Sequence, residues 1–83
     1  MTKKYMFNLK KLDTETFDDF MNKVANNLYR RGFAQHADIA TRYEMMKTVE
    51  RTGCYLDDLN ADYSVVIDDL HNGSYLFQLS RTA

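Results

Sequence analysis

Residues 63–80, YSVVIDDLHNGSYLFQLS, hold two alternating apolar runs around a single turn, and the way they pair decides the fold. Asn72-Gly73 invites a two-residue turn. That pairing sets Asp68 opposite Phe77 and splits the apolar residues between the two faces. A three-residue loop, His71-Asn72-Gly73 with Gly73 left-handed, instead sets Val65 opposite Leu79 and Ile67 opposite Phe77. Tyr63, Val65 and Ile67 then share a face with Tyr75, Phe77 and Leu79. A slip of one residue exchanges the two faces of a strand, so burial selects the second register.

The same period of two marks the N-terminus. In KKYMFNLKK (residues 3–11), Tyr5, Phe7 and Leu9 point one way, and Met6, Asn8 and Lys10 the other. The hairpin therefore has a third strand to pair with. Between them, Phe17, Phe20, Met21, Val24 and Leu28 recur at helical spacing, with Asn22, Lys23, Asn26 and Arg30 on the opposite face. Asp13 is the expected N-cap of this helix, with Leu12 stapled onto Phe17. Arg30, Arg31 and then Gly32 suit its C-terminal end.

A second helix is expected before Gly53, and its course is less determined. Ile39, Tyr43 and Met46 form an apolar row with His36 at its start, and Glu50 continues that row while Val49 falls off it. A charge in a core stripe is costly unless paired. The helix is therefore expected to end soon after Met46, or to break near Glu44 so that Met45 and Val49 face inward together. Residues 54–62, CYLDDLNAD, read as a polar connector with one helical turn around Leu56 and Leu59. The expected fold is α+β: a three-stranded antiparallel sheet in β-α-α-β-β order, with two or three helices on one face.

Eighty-three residues support one domain, 1–83, with a stability of roughly 4–8 kcal/mol for that length. A hydrophobic content of 45 % is ample for a core and argues against disorder. The net charge of −1 excludes the gross electrostatic footprint of a general nucleic-acid binder. Charge is nevertheless uneven: residues 1–52 carry ten Lys or Arg against seven Asp or Glu, while residues 53–83 carry only Arg81 against five Asp. A lone Cys54 excludes an internal disulfide, and the basic N-terminus has no apolar run of signal-peptide length. No segment reaches the length of a membrane span, so the expected compartment is the cytoplasm.

No nucleotide-cradling glycine loop, serine elbow or zinc-protease helix motif occurs. His36, His71 and Cys54 lack metal-ligand spacing, and the expectation for them is a partly buried histidine, a turn histidine and a small buried thiol. Asp57, Asp58 and Asp62 lack the layout of a calcium loop. The expected protein is thus not an enzyme and holds no cofactor.

Two functional expectations remain. On the sheet's second face lie Met6, Val66 and Leu76, with Ser64, Gln78 and Ser80 among them and Asp68 and Leu70 toward the turn. Adjacent apolar residues on a small open sheet mark a contact surface unless the 54–62 segment caps them. The sheet's two edges, not strongly charged along their length, offer a further docking route. This favours a small protein-binding module, an adaptor or inhibitor that occludes a partner surface, with a homodimer as one form. Small inhibitors without motifs abound among phage and mobile-element proteins. Asp57, Asp58, Asp62, Asp68 and Asp69 are the residues expected to address a basic patch on the partner.

The alternative rests on residues 37–45, ADIATRYEM, which resemble the start of the helix-turn-helix of phage and bacterial repressors. Ile39, Ala40 and Met45 fit that pattern, with Val49 as the later core residue. Glu44 stands where the family favours a glycine or small residue, and Val49 arrives one residue early. The resemblance implies a DNA-binding regulator built on residues 35–53, with Lys47, Thr48 and Arg51 facing the groove.

Overall fold

The computed structural model describes residues 1–60 and 62–82, the side chains of residues 58–60 excepted. Strand β1 (Thr2–Lys10) leads to helix α1 (Phe17–Arg30), a 3-10 turn (Ala34–Ala37) and helix α2 (Ile39–Thr52). Strands β2 (Cys54–Asn60), β3 (Tyr63–Asp69) and β4 (Ser74–Thr82) complete the chain. The strands form one four-stranded antiparallel sheet in the order β1-β4-β3-β2. Among the described residues no helix is long and apolar enough to cross a membrane.

The hairpin has the register that burial selects. Val65 pairs with Leu79 and Ile67 with Phe77, and all four are buried. The Leu70 N–H donates to the Ser74 carbonyl at 3.1 Å, closing a loop of His71, Asn72 and Gly73. Gly73 has φ +87°, where a side chain would be strained. Strand β1 then pairs with β4 along its whole length, and Phe7 stacks on Phe77 with ring centroids 5.2 Å apart.

The expected three strands are four, because residues 54–60 pair with β3 instead of forming a connector. Tyr55 lies opposite Ile67 and Asp57 opposite Val65, so both point to the helix-covered face. An aspartate at an inward position breaks the apolar alternation by which a half-buried strand is recognised. The turn expected around Leu56 and Leu59 is accordingly a strand as well.

Helix α1 begins later than Asp13. Thr16 is its N-cap: Thr16 Oγ1 accepts from the Asp19 N–H at 3.1 Å, and Asp19 Oδ2 accepts from the Thr16 N–H at 3.4 Å. Glu15 causes the delay. Its Oε1 accepts from the Leu12 N–H at 2.8 Å and from Lys23 Nζ at 2.9 Å, holding residues 12–15 in a separate turn. The Leu12 hydrogen bond first, and then Lys23, hold the Glu15 carboxyl below the usual carboxylate range. Leu12 is consequently exposed, not stapled. The stripe itself stands, with Phe20, Met21, Val24 and Leu28 buried and Phe17 packed at its margin.

Helix α2 neither ends after Met46 nor breaks at Glu44. It runs unbroken from Ile39 to Thr52 and buries Met45, Met46 and Val49. The row drawn through Ile39 has the wrong origin, since Ile39 is 64 % exposed. Phe33 and His36 fill the core just ahead of the helix, which frees the helix to turn its Met45–Val49 side inward. Glu50 then lies in solvent, 3.6 Å from Lys47 Nζ, and needs no buried partner. Gly53 ends the helix with its N–H on the Val49 carbonyl at 2.7 Å.

The core between helices and sheet also recruits Phe33, from the segment after α1. Its fully buried ring meets Tyr5 and Tyr63 edge to face, with centroids 6.5 and 5.4 Å apart.

Candidate protein-binding face

Both helices and the 3-10 turn pack on the face built by Tyr5, Phe7, Val65, Ile67, Phe77 and Leu79. Alternation puts the intervening residues on the other face. Leu56, Val66, Gln78 and Met6 are successive cross-strand partners over all four strands. Beside that row runs a second, Cys54, Asp68, Leu76 and Asn8. Met6 is 71 % and Leu56 61 % exposed, while Val66 and Leu76 are half-buried by their neighbours. Lys4, Met6, Ser64, Val66, Gln78 and Ser80 line an open depression of about 320 Å³ here.

The 54–60 segment does not cap this face. As a strand it widens the face and adds Leu56, which sequence reasoning assigned to a helical turn. The available signal was the opposition of Cys54 and Leu56 to Tyr55, a run too short to stand against the polar residues around it. Cys54 is exposed on this face and is not the buried thiol its residue type suggests.

The expected interface residues are only partly brought together. Met6, Val66, Leu76 and Asp68 share the outer face. Asp57 points to the opposite face, where its Oδ2 lies 3.2 Å from His36 Nε2. Asp62 follows the β2–β3 connection, and its carbonyl accepts from the Thr82 N–H at 2.9 Å. Asp69 turns back on the hairpin loop and accepts from the His71 N–H at 2.8 Å. The Asp58 side chain lies outside the described residues. Hence the described aspartates do not form one acidic surface.

His36 is buried and fixed between rings, with centroids 5.9 Å from Phe33 and 6.2 Å from Tyr63. Its bond to Asp57 ties the 3-10 turn to β2, while its Nδ1 is buried without a hydrogen-bond partner among the described residues. Cys54 faces away from this pair and His71 is exposed at the hairpin tip, so the three residues do not converge. Among the described residues no cluster of three or more His, Cys, Asp or Glu could hold a metal ion.

Residues 35–53 do not form the helix pair of the repressor motif, because α2 passes straight through Glu44. Lys47 Nζ sits 4.8 Å from the Phe17 ring centroid, and Thr48 Oγ1 donates to the Glu44 carbonyl at 2.8 Å. Arg51 is exposed in the last turn.

Comparison with protein-family models, curated proteins and solved structures gives no match to this chain.

Proposed function

We propose that this chain is a small protein-binding module, an adaptor or inhibitor that covers a partner's surface with the outer face of its sheet. One observation carries the proposal: Met6, Val66, Leu76 and Leu56 lie within two neighbouring cross-strand rows, with Gln78 between Val66 and Met6, on a face that neither helix packs against. Contiguous exposed apolar area on so small a domain favours burial against another molecule. Ser64, Ser80 and Asp68 beside these residues and Gln78 among them add hydrogen-bonding groups, the mixed apolar and polar make-up of protein interfaces. A second copy of the chain is one partner this face could accept.

The test compares the wild type with a Val66→Lys, Leu76→Lys variant in affinity capture from the cells that make the protein, alongside random duplex DNA at low and moderate salt. Both positions border solvent, and a lysine stem can lie along the sheet, so the variant should melt within about 5 °C of the wild type. The wild type should retain a protein that the variant does not, or self-associate by light scattering where the variant is monomeric. Tight, steeply salt-dependent DNA binding that Lys47→Glu abolishes would replace this reading with the regulator.

A further inference from the structure

The sheet's two edges differ. Strand β1 is nine residues long, hydrogen-bonded to β4 on one side only, and pairs without interruption from Thr2 opposite Thr82 to Lys10 opposite Ser74. The other edge, β2, has an irregular register between Asp57 and Asn60. Long regular edges recruit further strands, and proteins blunt them with bulges, proline or charge. Strand β1 has no bulge and the chain has no proline, so its guards are charge and, at its far end, Lys23, whose Nζ donates to the Lys10 carbonyl at 2.9 Å.

That charge is all of one sign and sits at the two ends. Lys3 and Lys4 flank one end, Lys10 the other, and Tyr5–Leu9 between them carry no charge. A fourth cation, Arg31, lies not at an end but over the middle of the strand on its inner side, its Cζ 4.0 Å from the Phe7 ring centroid. Its Nη1 donates to the Asn27 carbonyl at 2.9 Å and the Asn27 Oδ1 at 3.0 Å, both neutral acceptors. None of these four cations is in an ion pair among the described residues.

We propose that β1 receives an extended segment of a partner protein as a fifth strand, one that is apolar in its middle and acidic at both ends. Main-chain hydrogen bonds along the edge supply the affinity, and the terminal cations select the sequence. A second copy of the chain does not fit. Antiparallel pairing of two β1 strands brings Lys10 of one copy beside the Lys3–Lys4 end of the other, and parallel pairing aligns like ends; both repel. The same lysines thus exclude copies and attract an acidic strand, a specificity that includes a repulsive element. The surface used is the backbone edge of β1, separate from Val66 and Leu76 on the outer face.

The test uses two synthetic peptides with one shared apolar centre, one ending in glutamates on both sides and the other in lysines. The acidic peptide should bind, shift the amide resonances of Thr2–Lys10, and weaken from low to moderate salt. The lysine peptide should bind at least about tenfold more weakly. Lys3→Glu, Lys4→Glu, Lys10→Glu together should reverse the preference, whereas Val66→Lys, Leu76→Lys should leave it unchanged, separating this edge from the outer face. An acidic peptide with alternate backbone nitrogens methylated should not bind the wild type, a result that stands even if the triple variant fails to fold. Equal binding of the two peptides, no binding of either, undiminished binding of the methylated peptide, or resonance shifts elsewhere would each overturn the proposal.

Discussion

Phe33→Ala is expected to cost about 3–5 kcal/mol, more than half of a total of roughly 4–8 kcal/mol at the midpoints. The ring is fully buried and is the hub of an aromatic cluster with Tyr5, Tyr63 and His36. These partners come from β1, β3 and the 3-10 turn, so one truncation loosens three elements at once. The Phe33 N–H also donates to the Leu28 carbonyl at 2.9 Å, which fixes the ring's place at the end of α1. Phe33→Leu keeps most of the volume and should recover at least half of the loss. Urea unfolding followed by circular dichroism measures both. A Phe33→Ala midpoint close to that of the wild type would remove this ring from the centre of the core.

The second large effect is expected at His36. His36→Ala removes the bond to Asp57 and the ring packed between Phe33 and Tyr63, at a combined cost of about 2 kcal/mol. The cost stays below that of a fully buried ion pair because the Asp57 side chain is 27 % exposed and can turn to water. The loss should be local as well as global, with faster hydrogen exchange at the amides of residues 54–57 than elsewhere in the sheet. In His36→Leu, Asp57→Leu neither member of this pair is left facing an absent partner, so the double variant should lose less than the two single variants summed. Additive losses would show that the two side chains do not act as a pair.

His36 and Asp57 also explain why the sheet was only partly legible in the sequence. The hairpin register and the α1 stripe follow from apolar periodicity, because the central inward positions of those elements carry apolar side chains, with Asp69 and Arg81 only at the strand ends. Strand β2 spends one of its inward positions on Asp57, whose partner His36 is 21 residues away and cannot be paired with it by pattern. Phe33 lies in a connection without any period, so its burial is decided by tertiary packing alone. The row drawn through Ile39 failed for the same reason, since the space Ile39 was assigned is filled from the preceding turn. Three residues of the outer face, Met6, Val66 and Leu76, were legible once the register was chosen. Leu56 was not, because it depends on β2 being a strand.

The most direct measurement of the proposed binding face is the alkylation rate of Cys54, the chain's one cysteine, which is exposed on that face. Labelling is read by mass spectrometry, first for the purified protein at low concentration and then in a lysate of the cells that make it. If the outer face binds a partner or a second copy, the wild-type rate should fall in the lysate or at high protein concentration. The Val66→Lys, Leu76→Lys variant should keep its free rate under every condition. Wild-type and variant rates that stay equal throughout would contradict the assignment of this face as the docking surface.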